Sequence, residues 1–264
     1  MLIIKEIPMK FQVLGCSGGQ IPGHNLSSYL INDSLLIDAG SVTAVLALRG
    51  QQEIKNVLIT HIHLDHIMGL ATLADNLSGH CEASINVWGS ARVISGLKSF
   101  FFNDSIWPNV KRFTANSRQH PVLRFRRLPE EKATRIEDFN ITMIAVNHVV
   151  PSVAFFIEND GKTLLHVGDT GPTEKIWSLA RRKKNLRAVV LEVSFPNRLQ
   201  EVADVSRHLT PQTLTEEVAK LGRPSIPILI THLKPQHRAE VIRDLKHVDG
   251  QRLRILNDGD RLRF

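Results

Sequence analysis

Three histidines and one aspartate fall within the segment HIHLDH, residues 61–66, directly after an apolar run that predicts a buried strand. Alternate side chains of an extended chain share a face, so His61 and His63 can hold one ion together. Asp65 and His66 follow where apolar residues begin to recur at helical spacing. A protein core would have to desolvate all four side chains without a compensating charge. The segment therefore predicts a metal site at a strand-to-helix junction.

Three further polar residues stand at the ends of predicted strands. They are His148 in IAVNHVVPS, Asp169 in LLHVGDTG and His232 in ILITHLKP. Each follows an apolar run and precedes a loop, so each is a candidate ligand, although a capping or turn role fits the same pattern. Imidazole and carboxylate ligands suit zinc and, with more oxygen ligands, manganese or iron.

The order of the predicted elements indicates the fold class. Early apolar segments separated by Gly, Asn and Asp indicate strands and turns, whereas later strands alternate with helices. This α/β pattern predicts sheets covered by helices on their outer faces. The chain of 264 residues has no linker or low-complexity block, which predicts one domain over residues 1–264. The stretch 98–135 is the least regular and is a candidate family-specific insertion.

Composition limits the cellular setting and the partners. The formal charge of +7 favours an anionic partner. A basic cluster at residues 181–184 ends a predicted helix, so it is either a solvated helix end or a nucleic-acid patch. Cys16 and Cys81 suggest no disulfide framework, and we find no signal peptide or membrane-spanning run. A cytoplasmic protein without a membrane partner is the expectation.

HIHLDH, the isolated His148, GDTG, the late THL and the early IDAG together resemble the metallo-β-lactamase superfamily. The resemblance covers almost the whole chain and implies a four-layer αββα sandwich with two divalent metal ions at one edge. It assigns His61, His63 and His148 to one ion. It assigns the other ion to a second set of ligands, with Asp169 bridging both ions: Asp65, His66 and His232.

A narrower resemblance rests on Leu64 within HLDH and on FNDSIWPN, NHVVPS, EVSFPN and HLTP. These motifs are similar to those of class II 3′,5′-cyclic-nucleotide phosphodiesterases, although the chain departs from that pattern in ATLADN. The resemblance implies a small anionic nucleotide substrate, with cyclic AMP favoured. The substrate would be hydrolysed to a 5′-nucleotide by a hydroxide that two ions activate. Zinc is the expected metal, with manganese or iron as alternatives, and a homodimer is the expected assembly.

The same resemblance suggests residues for the chemistry. His208 in SRHLTP would protonate the leaving oxygen and Glu192 would orient it. Asp65 would serve both as ligand and in catalysis. Asp38 would accept a hydrogen bond from a ligand histidine and fix its tautomer. His208 could instead belong to a helix-capping region and Asp38 to a turn. Three residues are candidates for substrate contact, with loop packing as the alternative for each: His24, Ser28 and Trp107.

Two other functions share these ligands. One is a tRNA 3′-endonuclease similar to RNase Z, which would suit the basic charge. That branch has Gly where this chain has Leu64, and it carries a long basic Gly-rich arm that we do not identify here. The other is a metal-stabilised binding protein without turnover, which would leave Glu192 and His208 unexplained.

Overall fold

The computed structural model describes residues 8–116 and 120–264. Within that part of the chain, fourteen strands form two seven-stranded sheets. The first sheet contains β1 (Lys10–Gly15), β2 (Ser28–Ile31), β3 (Leu35–Ile37), β4 (Asn56–Leu58), β5 (Ile85–Gly89), β6 (Leu123–Arg127) and β14 (Arg261–Arg263). The second sheet contains β7 (Thr134–Ile136), β8 (Phe139–Val146), β9 (Ser152–Asn159), β10 (Lys162–Val167), β11 (Leu186–Glu192), β12 (Ile228–Thr231) and β13 (Leu253–Ile255).

Each sheet joins an antiparallel part to a parallel part. The first sheet runs in the order β14-β1-β2-β3-β4-β5-β6, antiparallel up to β3 and parallel from β3 to β6. The second runs β13-β12-β11-β10-β9-β8-β7, parallel from β13 to β10 and antiparallel beyond. The carboxyl ends of the parallel strands lie at one edge of each sheet, where α/β folds place their sites.

Helices cover the outer faces. Those next to the first sheet are α1 (Val42–Val45), α2 (Leu48–Gln52), α3 (Leu64–Leu77) and α4 (Ala91–Gly96), and a π-helical turn, Leu97–Phe101, follows α4. The helices that connect strands β10 to β13 of the second sheet are α5 (Lys175–Arg182), α6 (Gln200–Ser206), α7 (Pro211–Ala219) and α8 (Arg238–Leu245). Of the helices that the structure describes, none is long and apolar enough to cross a membrane.

Three apolar cores separate these layers. Val57 of β4 packs with Leu70 of α3 in the core beneath the first helix layer. The neighbouring Leu58 points the other way and packs with Phe155 between the sheets. A third core joins the second sheet to its helices and includes Trp177 of α5. Alternation along the strands therefore fills both faces of each sheet, and the predicted four-layer αββα sandwich is confirmed.

The apolar spacing of α3 explains its position. Its buried residues include Ile67, Leu70 and Leu73, on the face that the sequence predicted. Gly69 lets this face approach the backbone after β3, since a Cβ there would lie 2.4 Å from the carbonyl oxygen of Ala39. The start of α3 is thereby held directly above the carboxyl ends of β3 and β4.

Part of the stretch 98–135 is more regular than the sequence indicated, and a family-specific insertion there stays a prediction. It contains β6, which pairs with β5 over its whole length, and it reaches into β7, so it contributes to both sheets. The sequence LRFRR of β6 does not form an apolar run because β6 is an edge strand with exposed arginines. Residues 117–119 of the stretch, and residues 1–7 that bear on a leader peptide, lie outside the described residues.

Candidate metal centre and proton donor

The HIHLDH segment forms the floor of a polar site at the end of β4. His63 is the N-cap of α3 and has an extended backbone, whereas Asp65 and His66 lie in the first helical turn. This change from extended to helical backbone turns the side chains of residues 61–66 toward one point. The strand-to-helix junction predicted from the sequence is present.

One group of ligand atoms combines this segment with the ends of β8 and β10. Nδ1 of His63 lies 3.1 Å from Nε2 of His61 and 3.4 Å from Nε2 of His148. Oδ2 of Asp169 lies 3.6 Å from Nε2 of His61. The four side chains offer ligand atoms that all lie within 4.8 Å of one another, so they could hold one metal ion.

A second group shares Asp169 with the first. Nε2 of His232 lies 3.2 Å from Oδ2 of Asp65 and 3.3 Å from Oδ2 of Asp169. Nε2 of His66 lies 3.5 Å from Oδ1 of Asp169 and 3.7 Å from Oδ2 of Asp65. The ligand atoms of these four side chains also lie within 4.8 Å of one another. Asp169 thus stands between two imidazole-rich groups, as a bridging ligand would.

A buried hydroxyl and a carboxylate orient the histidines beneath β4. The Thr60 hydroxyl donates to Oδ2 of Asp38 at 2.8 Å, which leaves its lone pairs to accept from Nδ1 of His61 at 3.0 Å. Oδ2 of Asp38 also accepts from Nδ1 of His66 at 2.7 Å. With Nδ1 of each ring held by these contacts, Nε2 of His61 and of His66 is the atom that faces the site and is available to a metal ion.

The second sheet contains the same arrangement of a hydroxyl between a buried carboxylate and a histidine. The Ser194 hydroxyl donates to Oε2 of Glu192 at 2.7 Å and accepts from Nδ1 of His232 at 2.9 Å. Nδ1 of His148 donates to the carbonyl oxygen of Arg207 at 3.0 Å. His232 and His148 therefore also present Nε2 to the site.

His208 and Glu192 form a close pair beside the second group. Nδ1 of His208 lies 2.5 Å from Oε1 of Glu192, which also accepts from the backbone N–H of Thr170 at 3.1 Å. Burial lowers the pKa of His208, but the Glu192 carboxylate outweighs burial, so the pKa is raised above its ordinary value. The protonated imidazole is thus favoured, with Nε2 free to donate.

The buried charges fit divalent cations. Asp38, Asp169 and Glu192 are 0%, 3% and 1% exposed. In the part of the chain that the structure describes, no Lys or Arg forms an ion pair with any of them. Burial raises the pKa of Asp169, but the nearby histidines lower it well below its usual range, so it is ionised. Burial lowers the pKa of His61, which keeps that imidazole in the neutral form that binds metal. Clustered carboxylates and neutral imidazoles form a donor set suited to metal ions.

A family model described as the beta-lactamase superfamily domain matches residues 34–248. The chain belongs to this superfamily. The protein is 29% identical over 273 residues to a Yersinia pestis protein named probable 3′,5′-cyclic-nucleotide phosphodiesterase, covering 84% of this chain and 77% of the relative. It is 22% identical over 290 residues to the ribonuclease Z of Archaeoglobus fulgidus, covering 86% and 88%.

The superfamily fold is also seen in solved structures. The metallo-beta-lactamase fold protein YhfI from Bacillus subtilis superimposes with a TM-score of 0.78 at 19% identity, covering 98% of this chain and 100% of that one. The resemblance to the metallo-β-lactamase superfamily, and within it to cyclic-nucleotide phosphodiesterases, is confirmed. The two groups of His and Asp side chains that could hold metal ions thus lie in a chain that has the fold of this superfamily.

The predicted substrate residues do not gather at this superfamily site. Ser28 is fully buried, and its hydroxyl donates to the carbonyl of Ser27 and accepts from the backbone N–H of Ser41. Trp107 packs against the core beneath the first helix layer, which agrees with the loop-packing alternative considered for this residue. His24 lines a separate small cavity of about 150 Å³ that includes Arg238. Ser28 and Trp107 thus have packing contacts, and His24 lines a cavity that none of the candidate metal ligands lines.

The residues that hold the candidate ligands in place were not predicted from the sequence. Thr60 and Ser194 carry the two hydroxyls that orient the histidines. In the sequence, only two features could have indicated them: Thr60 directly precedes HIHLDH, and Ser194 lies within EVSFPN. Gly18 of GCSGG is a second case, since a Cβ there would lie 2.7 Å from the ring of His232. Gly18 thus allows the backbone to approach a candidate ligand histidine closely.

Proposed function

We propose that this protein is a metal-dependent phosphodiesterase that hydrolyses 3′,5′-cyclic nucleotides, cyclic AMP above others, to 5′-nucleotides. The observation that carries the proposal is Asp169 between two groups of histidine ligands, with the His208–Glu192 pair beside the second group. The Yersinia pestis relative supports the substrate class.

The first ion would be held by His61, His63, His148 and Asp169, and the second by Asp65, His66, His232 and the same Asp169. Zinc is the metal we favour, with manganese and iron as alternatives, because imidazole outnumbers carboxylate. Two bound ions would supply a water of lowered pKa and would offset charge on the phosphoryl oxygens.

The protein's own groups would handle the proton on the leaving oxygen. His208 holds a proton at Nε2 because Glu192 accepts from its Nδ1 and raises its pKa. An acid of this kind suits the 3′ oxygen, which leaves as an alkoxide and needs a proton. Asp38 acts through His66, and Asp65 acts as a ligand, so neither needs to touch the substrate.

Leu64 supports a small nucleotide. It lies in the first turn of α3 between His63 and Asp65, and its side chain is 61% exposed. An exposed apolar side chain beside the ligands offers a surface to a base or a ribose. We assign substrate contact to this residue.

A second candidate function is a tRNA 3′-endonuclease, because the Archaeoglobus fulgidus relative is named ribonuclease Z and matches over most of both chains. A metal-stabilised binding protein is the third candidate. The homodimer remains a prediction, which the mass of the protein in solution would check.

Product analysis distinguishes these functions. Purified protein loaded with zinc or manganese is offered cyclic AMP, cyclic GMP and a precursor tRNA in parallel. Release of 5′-AMP that stops on chelation, without tRNA cleavage, is the expected result. Cutting of the tRNA 3′ trailer with cyclic nucleotides intact would move the protein to the nuclease branch. Metal-dependent folding without hydrolysis of any phosphodiester would support the binding protein.

A matched pair of variants makes the test specific. His208→Ala should abolish most turnover, whereas His247→Ala changes an exposed histidine at the end of α8 and should leave turnover unchanged. Equal activity of both variants would remove the proton-donor assignment from the proposal.

A further inference from the structure

A basic groove runs along the open edge of the first sheet. We define it by Lys98, Lys111, Arg124, Arg126 and the ring of Phe125, and its volume is about 590 Å³. Ligand pockets in proteins commonly measure roughly 300 to 1,000 Å³. The groove therefore has the size of a binding site, yet none of its residues belongs to the metal groups.

The charge of the basic groove is uncompensated. Its lining contains no acidic residue. Among residues 8–116 and 120–264, no acidic side chain lies within ion-pair distance of Lys98, Lys111, Arg124 or Arg126. The nearby Asp104 is already paired with Arg112 at 2.8 Å. Four cations without counter-ions create a local positive potential that favours a polyanion.

The groove also has an aromatic floor. Phe125 is half-buried, and Nζ of Lys98 lies 6.0 Å from its ring centroid. The groove wraps around the edge strand: Phe125 lies on the face that carries Lys98, and Arg124 and Arg126 project from the other face of the same strand. A positively charged groove that contains an aromatic ring is the combination that binds single-stranded nucleic acid, because phosphates meet the cations while a base stacks on the ring.

The open edge of β6 gives access to the groove. β6 is the last strand of its sheet and pairs only with β5 within the described part of the chain. A π-helical turn, a feature frequent at functional sites, carries Lys98. The preceding Gly96 packs against HIHLDH, since a Cβ there would lie 2.8 Å from Cδ1 of Ile62. The groove is therefore a neighbour of the metal groups and is separate from them.

We propose that the basic groove binds single-stranded nucleic acid, with Lys98, Lys111, Arg124 and Arg126 on the phosphates and Phe125 beneath a base. This binding does not depend on the proposed hydrolysis. An acidic peptide adding to the β6 edge is the competing occupant. The ring of Phe125 favours the nucleic acid, since a peptide that pairs with the strand edge has no need of it.

The test measures binding by the full-length protein. A fluorescently labelled twelve-residue oligouridylate is titrated at several salt concentrations, and its anisotropy gives the dissociation constant. The groove variant carries Lys98→Gln, Lys111→Gln and Arg124→Gln. The control carries Arg181→Gln, Arg182→Gln and Lys184→Gln, which remove the same charge from exposed residues at the end of α5. Thermal unfolding and metal content establish that both variants are folded.

The groove variant should bind at least tenfold more weakly than wild type, and the control less than threefold more weakly. The slope of log K against log salt should become shallower by about 0.7 for each phosphate that the variant no longer neutralises. Phe125→Leu keeps an apolar side chain and should weaken binding by about tenfold, because a base can no longer stack on the ring.

Three results would overturn the proposal. The first is equal weakening in the groove and control variants, which would indicate non-specific charge. The second is unchanged binding by Phe125→Leu, or displacement of the oligonucleotide by an equal charge of polyglutamate, either of which would favour an acidic peptide. The third is no binding by wild type at low salt. None of these results depends on whether cyclic AMP is hydrolysed, so the two proposals can fail separately.

Discussion

Asp38→Asn should weaken the metal ion that His66 would hold. Oδ1 of Asp38 accepts from the backbone N–H of Thr60 at 2.8 Å, and Oδ2 accepts from the Thr60 hydroxyl and from Nδ1 of His66. Asparagine has one oxygen. If that oxygen still accepts the hydrogen bond from the backbone N–H of Thr60, the new amide NH₂ group faces the N–H at Nδ1 of His66, and two donors then oppose each other. His66 must then carry its proton on Nε2, the atom that faces Asp169 and His232.

The size of the effect on this ion follows from the charged hydrogen bond to Nδ1 of His66 that the variant cannot form. Such a bond to a carboxylate contributes about 1.5 to 3 kcal/mol. Loss of a partner that orients a metal ligand typically costs about 10- to 100-fold in metal affinity. A tenfold change corresponds to about 1.4 kcal/mol, so the two figures agree. We therefore expect a 10- to 100-fold weaker ion at the group of Asp65, His66 and His232.

The assay is zinc binding at buffered free-metal concentrations, with metal content measured for each variant. Wild type should give two sites, and Asp38→Asn should weaken the site that contains His66 by about 10- to 100-fold. Asp75→Asn is the matched control, because it removes an exposed carboxylate from the same helix as His66. If both ions bound Asp38→Asn as tightly as wild type, the orienting role of Asp38 would be refuted.

Three further predictions concern catalysis and packing. His208→Ala should retain both ions and lose roughly 10² to 10⁴ in turnover, measured with cyclic AMP, and parental turnover would contradict the acid role. Glu192→Gln removes the charge that raises the pKa of His208. Because the acid must be protonated, kcat falls as pH rises through that pKa. The basic limb of the kcat profile should therefore move to lower pH in the variant. If the limb did not move, it would report the titration of a group other than His208. Gly18→Ala should displace the ring of His232 and weaken zinc by on the order of tenfold, whereas Gly19→Ala, whose Cβ meets Pro235 at an ordinary 3.4 Å, should not.

The sequence predicted most where the signal was local. HIHLDH carries its ligands within six residues, so strand alternation alone suggested a shared site. The distant ligands His148, Asp169 and His232 followed from a weaker rule, that polar residues at strand ends meet at one sheet edge. Glu192 and His208 came only from the family resemblance, because a single Glu and a single His have no distinctive spacing.

Other features depended on contacts that no local pattern encodes. Thr60 and Ser194 are common residue types, and their role appears only when each meets a buried carboxylate and a ligand histidine. β6 was missed because an edge strand need not be apolar on both faces, and its arginines resemble a loop. Trp107 and Ser28 illustrate the converse, because motif membership suggested substrate contact while burial gives them packing roles.

The two sheets contribute matching halves to the proposed centre. Thr60 and Ser194 each follow the carboxyl end of a parallel strand, donate to a buried carboxylate and accept from a histidine ligand. This hydrogen-bonded layer fixes which nitrogen each imidazole presents, and that requirement is the same for any phosphodiester. Substrate choice therefore falls to exposed residues at the rim of the site. Leu64 is the rim residue that the sequence and the structure both single out, and replacing it with glycine should lower the turnover of cyclic AMP while both metal ions remain bound.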